Sequence, residues 1–277
     1  MTKPIVNIAG YKFVRLTADL EALRTKLYDL LAGHDILGTI LLGTEGTNLM
    51  LAALRDEIEY AKNCLRAIPE FADLTFKESF SAEKPFDKLK IKIKKEIVSL
   101  GVESIDAVCM TAPTISPKEL KLWLDEDRDF ILLDTRNRYE VQLGTFDKAI
   151  ELNIRHFRTF QKAIEKLPEY AKEKPLVMFC TGGIRCEKAG PFLLAQGFKQ
   201  IYQLEGGILN YFKECGDAHY NGNCFIFDFR TAITPQLEET GLTQCERCQE
   251  FVTAEEQAQT SYQRGDYCIH CRKMAAA

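Results

Sequence analysis

The segment Cys180-Thr-Gly-Gly-Ile-Arg185 places a thiol, two consecutive glycines and a guanidinium within six residues. Glycines allow a tight turn, so the backbone N–H groups of Thr181, Gly182, Gly183 and Ile184 can converge on one point. If that point lies at the start of a helix, negative charge is favoured there, and the thiolate is the reactive form of cysteine. Arg185 adds a permanent cation able to hold an anionic substrate through two parallel contacts. The predicted chemistry is nucleophilic, with Cys180 attacking and Arg185 steadying an anion. The competing description is a buried strand-end cysteine beside an ordinary glycine turn. That description gains nothing from Arg185, and apolar burial would raise the thiol pKa.

Loop length narrows the chemistry. Arg185 lies five residues after Cys180, whereas cysteine phosphatases set their arginine six after the nucleophile. The smaller ring suits a sulfane sulfur better than a phosphoryl group. Cys186 follows directly and has two readings. It is a second thiol able to resolve an oxidised or persulfidated Cys180, or a small residue packed in the first turn of a helix.

Two further pairs, Cys245-Glu-Arg-Cys248 and Cys268-Ile-His-Cys271, are separated by nineteen residues. That spacing is the pattern of a four-thiolate zinc site built from two knuckles. His270 sits inside the second knuckle and is an alternative ligand. The alternatives to metal are disulfides formed in handling, or a vacant site. Cys64, Cys109, Cys215 and Cys224 have no partner at useful spacing and read as small packing residues.

A fourth feature is cationic. Lys90, Lys92 and Lys94 alternate with Leu89, Ile91 and Ile93. If the apolar set faces a core, the lysines face water together. They serve either as a contact strip for RNA phosphates or as guards against sheet-to-sheet association on an edge strand.

The elements that must position these groups fall into three segments. In residues 1–98, Val6 to Leu16 reads as a strand, and Leu20, Leu23, Leu27 and Leu30 form one stripe of a helix. Gly38–Gly43 and Asn48–Ala52 flank a hairpin turn, and Ile58, Ala61, Leu65 and Ile68 recur at helical spacing before Pro69. With the lysine strand last, the order β-α-β-β-α-β predicts a ferredoxin-like α/β sandwich. Residues 99–115 read as a linker. Residues 116–214 open with Ser116-Pro117-Lys118-Glu119, a capped helix start, and alternate strands with helices. The apolar runs Phe130–Leu133 and Pro175–Cys180 suit strands covered on both faces of a parallel sheet. Residues 215–277 form a small cysteine-rich module, with Cys224–Asp228 as an expected strand.

Composition sets the outer limits. Apolar residues make up 46% and charged residues 27% of the 277 residues, which suits packed cores. The net charge of −4 means that any nucleic-acid contact rests on local cationic patches. No apolar run approaches a membrane span, and no export signal opens the chain, so a reducing cytoplasm is the expected setting for its ten cysteines. There is no dinucleotide fingerprint to suggest flavin or NAD, and the four histidines, His34, His156, His219 and His270, offer no facial iron triad.

Residues 116–214 resemble a rhodanese homology domain. Besides the Cys180 loop, Asp134-Thr-Arg136 with Glu140 and Gly144 matches its early element, and Gly206-Gly207 matches its closing pair. The resemblance implies a persulfide-bearing Cys180, with Asp134 and Arg136 as braces for the loop. The combined order is similar across the whole chain to the rhodanese-related bacterial tRNA uridine hydroxylases. That order runs from Pro85 to Gly101, through Cys180–Lys188, to Gly222–Asp228 and the paired knuckles. It implies an oxidoreductase that uses O2 to convert the wobble uridine of tRNA to 5-hydroxyuridine, meeting tRNA at its anticodon loop. Two other readings compete: a sulfurtransferase working through the same Cys180 persulfide, and a non-enzymatic RNA- or protein-binding module.

Overall fold

The computed structural model describes residues 4–245, 247–259, 262, 268, 269 and 271. Its first unit starts with β1 (Ile5–Phe13) and α1 (Leu20–Leu31), which Asp19 caps by accepting from the Glu21 N–H. β2 (Leu37–Gly43) and β3 (Gly46–Ala53) form the expected hairpin, with Gly43 opposite Gly46. α2 (Arg55–Arg66) follows, and Pro69 opens a short 3-10 turn beyond it. Leu23, Leu27 and Leu31 of α1 and Ile58, Ala61 and Leu65 of α2 bury against Val6, Ile8, Ile40, Leu42, Leu49 and Leu51. Both helices therefore cover one face of the sheet and leave the other open.

The fourth strand of this sandwich is not the lysine strand. β4 (Lys77–Ser81) pairs with β1, giving the order β4-β1-β3-β2 of a ferredoxin-like sheet. β5 (Leu89–Ile93), which carries Lys90 and Lys92, adds a fifth strand at the far edge, parallel to β2. Sequence pattern missed β4 because Lys77-Glu-Ser-Phe-Ser81 has no alternating apolar face. Its inward row is polar, for a reason that appears at the active site.

The second unit is a parallel sheet. β6 (Thr114–Ile115) lies within the stretch read as a linker, and Ser116 caps α3 (Pro117–Asp125) by accepting from the Glu119 N–H. β7 (Ile131–Asp134), α4 (Arg138–Val141), β8 (Gly144–Phe146), β9 (Ile150–Glu151) and α5 (Phe160–Ile164) come next. β10 (Pro175–Phe179), α6 (Ile184–Ala195), β11 (Gln200–Leu204) and α7 (Gly207–Cys215) complete it. The five parallel strands run in the order β6-β11-β10-β7-β9. Leu176 and Met178 of central β10 enter one core, while Val177 and Phe179 enter the other. That division is why the strand is apolar at every position.

β12 (Tyr220–Gly222) pairs with β8, and β13 (Cys224–Phe225) with β14 (Ala232–Ile233). The strand expected over Cys224–Asp228 is shorter than its sequence suggested. β13 comprises only Cys224–Phe225, because the Ile226 N–H already closes a turn onto the Thr231 carbonyl.

Candidate active site

Cys180 follows the last residue of β10, and its side chain has no exposed surface. α6 starts at Ile184, after Gly183 takes φ +101°, a conformation that disfavours any side chain. This turn brings the Gly183 N–H to 3.1 Å from Cys180 Sγ. The closing glycine pair has a specific job. A Cβ on Gly207 would sit 2.4 Å from the Cys180 carbonyl oxygen and 2.7 Å from that of Thr181. Those carbonyls instead accept from the N–H groups of Ile208 (3.0 Å) and Leu209 (3.1 Å), so the loop caps α7.

Burial works against ionising Cys180. The Cys186 thiol, the Arg185 charge and the N–H groups of Arg185 and Gly183 outweigh it, bringing the Cys180 thiol down from 9.0 to about 5. Cys186 is also buried. Burial and the neighbouring Cys180 push its own pKa up, so it stays protonated and donates to the thiolate. The two thiols therefore titrate as one interacting pair. Thr135 Oγ1 lies 3.9 Å from Cys186 Sγ.

Arg185 does not stand open to a substrate anion. Its Nη1 and Nη2 each donate to Glu140 at 2.6 Å, and both side chains are buried. A buried guanidinium needs a counter-charge, and Glu140 supplies it. Arg185 reaches Cys180 through its charge and backbone N–H, while Glu140 holds both of its Nη atoms. Glu140 also accepts from the Asn137 N–H at 3.1 Å and from Thr181 Oγ1 at 3.3 Å, tying α4 to the loop.

Asp134 and Arg136 form a second buried ion pair. Arg136 Nη2 donates to Asp134 at 2.7 Å and to the Gly144 carbonyl at 2.7 Å. Thr135, between them, donates to the Phe179 carbonyl at 2.8 Å. These contacts brace β7 against the end of β10.

The open face of the N-terminal sheet covers the loop, a feature that motif reading missed. Lys77 Nζ donates to the Gly182 carbonyl. Tyr11 Oη donates to Glu187 Oε1 at 3.1 Å and lies 2.8 Å from where a Cβ on Gly183 would be. Arg230 Nη1 donates to Ser79 Oγ at 2.9 Å, and Lys188 pairs with Glu45 (2.8 Å) and Glu96 (2.7 Å). Lys77 stands opposite Ala9, Ser79 opposite Asn7, and Tyr11 two residues along from Ala9, so all share one sheet face. The polar inward row of β4 is thus an interface row. Burial lowers the Lys77 pKa, partly offset by Cys180, Glu187 and Cys186; burial and Glu187 raise that of Tyr11.

Among the other expected site residues, the Sγ atoms of Cys245, Cys248, Cys268 and Cys271 all lie within 4.8 Å of one another. Cys245 and Cys271 are 3.7 Å apart and Cys248 and Cys268 3.5 Å, close to the ~3.8 Å edge of a tetrahedron with Zn–S bonds of about 2.3 Å. The donor set fits a thiolate-bound metal. His270 lies outside the described residues. Lys90, Lys92 and Lys94 are exposed, and no carboxylate pairs with them among the described residues.

A model of the UPF0176 acylphosphatase like domain matches residues 5–97, and one of the rhodanese-like domain matches residues 116–214. A Cupriavidus metallidurans protein named tRNA uridine(34) hydroxylase is 45% identical over 272 residues, covering 96% of each chain. A Ralstonia nicotianae protein of the same name matches equally, at 45% identity and 96% coverage of both chains. The chain belongs to the tRNA uridine(34) hydroxylase family. Its membership of that family spans the sandwich, the Cys180 sheet and the cysteine-rich end together. The solution structure of a rhodanese-like domain from Anabaena overlaps 40% of this chain and 80% of its own, with TM-score 0.34 and 23% identity. Among the described residues, no helix is long and apolar enough to cross a membrane.

Proposed function

We propose that this protein hydroxylates the wobble uridine of tRNA at C5 in an oxygen-dependent reaction, with Cys180 as the working sulfur. The observation that carries the reading is the low-pKa Cys180 in its N–H cradle, set in a chain that matches named tRNA uridine(34) hydroxylases almost end to end. In overall balance, one oxygen atom enters the uracil C5–H bond and the other leaves as water, drawing two protons and two electrons from an external reductant. Cys180, or its persulfide, acts at the uracil ring. Arg185, fixed by Glu140, keeps that sulfur anionic, and Cys186 is the second thiol beside it.

The lysine strand supports the tRNA part of this reading. Tyr11, Asn48, Leu41 and Lys92 form one register row across four neighbouring strands. At about 4.8 Å per strand, Lys92 sits roughly 14 Å along the sheet from the tyrosine that covers the Cys180 loop. Arg24, Tyr28, Lys90 and Lys92 line a surface groove of about 460 Å³, and Tyr28 is 51% exposed. Cations beside an exposed ring suit a single-stranded phosphate backbone with a stacked base. Lys90, Lys92 and Lys94 therefore contact the anticodon loop in this reading.

The four C-terminal cysteines hold a structural zinc ion. Four thiolates around d¹⁰ zinc supply folding energy rather than redox chemistry. Metal analysis of protein purified without chelator tests this, and a yield well below one zinc per chain rejects it.

The main test compares tRNA nucleosides by mass spectrometry from cells with the gene, without it, and with Cys180→Ala. Loss of 5-hydroxyuridine and its derivatives in the last two is expected. Unchanged nucleosides reject hydroxylation, and rapid thiosulfate:cyanide transfer by the same protein would then assign a sulfurtransferase. Taking place on tRNA, the reaction belongs in the cytoplasm.

A further inference from the structure

Lys77 is a half-buried ammonium on the N-terminal sheet, and no carboxylate pairs with it among the described residues. The other cations at this boundary have acid partners: Lys188 has Glu45 and Glu96, and Arg230 has Asp228. Lys77 instead donates to the carbonyl of Gly182, inside the Cys180 loop. Its Nζ is 3.7 Å from where a Cβ on Gly182 would be and 5.8 Å from the centre of the Tyr11 ring. A desolvated cation without an acid partner must find negative charge nearby or lose its proton. Negative charge is available from the Cys180 thiolate and from Glu187, which Tyr11 holds at 3.1 Å.

We infer that the reactive centre is completed by the N-terminal sandwich, with Lys77 as a positioning residue that fixes the Gly182 carbonyl and sets the acidity of the Cys180 thiol across the domain boundary. The peptide that Lys77 holds by its oxygen lies directly before Gly183, whose N–H faces Cys180 Sγ. Pulling the Gly182 carbonyl toward Lys77 turns the opposite edge of that peptide, the Gly183 N–H, toward the sulfur. The polarity of β4 is then explained by what it delivers. This inference rests on reading Cys180 as the working thiolate, but its test does not depend on hydroxylation.

The experiment follows ionisation of Cys180 as a function of pH by ultraviolet thiolate absorbance in the full chain, with the same protein carrying Cys180→Ser subtracted. Absorbance is used because the buried sulfur offers no surface to an alkylating reagent. A change in thiol acidity moves the midpoint of this difference curve, and the Ser79 variant below shows what a looser interface alone does. Lys77→Met is expected to raise the midpoint by about one pH unit, the effect of removing one nearby opposite charge. Lys77→Gln can keep a hydrogen bond to Gly182 while dropping the charge, and is expected to move the midpoint in the same direction. Lys77→Arg should restore it to within a few tenths of a unit. Ser79→Ala removes a neighbouring cross-domain hydrogen bond without touching charge, and should leave the midpoint in place. A wild-type midpoint in both Lys77→Met and Lys77→Gln overturns the inference, as does an equal shift in Ser79→Ala. Should Lys77→Met fold poorly, Lys77→Gln decides the matter. A shifted midpoint in a protein that leaves tRNA unmodified would keep this inference and reject the proposed function.

Discussion

Glu140 and Arg185 meet through two contacts of 2.6 Å beneath the Cys180 loop, with both side chains out of water. The pair joins α4 to the first turn of α6 and engages both Nη atoms of the guanidinium. Removing one partner of a buried pair leaves the other charge uncompensated, which costs about 3–5 kcal/mol. Glu140→Ala should lose about that much stability in urea denaturation and raise the ionisation midpoint of Cys180. Glu140→Gln, which keeps the shape and some hydrogen bonding, should lose less.

The acidity of Cys180 gives a pH dependence with a defined sign. Its folded-state pKa, about 5, lies below the ordinary thiol value of 9.0. The thiolate therefore favours the folded state fully above about pH 9, and the advantage fades as pH falls to about 5. Wild-type stability minus that of Cys180→Ser should grow as pH rises through this window. A flat difference between pH 5 and 9 would contradict the cradle.

Cys186 has two separable roles. As a hydrogen-bond donor it can be replaced by serine; as a resolving thiol it cannot. Cys186→Ser should hold the Cys180 midpoint near wild type, whereas Cys186→Ala should raise it. If tRNA hydroxylation survives in the serine protein, the second thiol acts only as a donor. If it falls at least tenfold, Cys186 takes part in the sulfur chemistry.

Gly207 sets the loop from outside. Its φ is +66°, and a methyl group there would meet the Cys180 carbonyl oxygen at 2.4 Å, so the site has no room for one. Gly207→Ala should cost more than about 1–3 kcal/mol, since strain and steric conflict add. The expected result is a lower melting temperature together with loss of Cys180 reactivity at neutral pH.

The lysine strand makes a quantitative prediction about tRNA. Each of Lys90, Lys92 and Lys94 replaced by alanine should weaken binding across tRNA sequences. Each should also reduce the steepness of the salt dependence by about one ion. Binding measured between low and moderate salt decides this, and an unchanged slope in the triple variant would leave the lysines as edge guards alone.

The parts of the site written in short spacings were legible from sequence. Cys180, its glycines, the Gly206–Gly207 pair and the four knuckle cysteines are local motifs, and each set lies together in the fold. The parts that depend on docking were not. Arg185 could be seen as a cation, but its partner Glu140 lies 45 residues away in the chain. Lys77 and Tyr11 were invisible as site residues because they belong to a separate sheet and meet the loop only after the two units pack. The same polar docking face hid β4, whose residues lack the apolar rhythm by which strands are read. The short β13 was overestimated for the converse reason: Cys224-Phe-Ile-Phe looks like a strand, yet its backbone is drawn into a turn.

A sulfur ionised at neutral pH is the kind that peroxides take first. Cys180 carries that hazard, but offers no surface to a passing oxidant while the sandwich rests on its loop. The packing that completes the loop is therefore also what keeps this sulfur from oxidation.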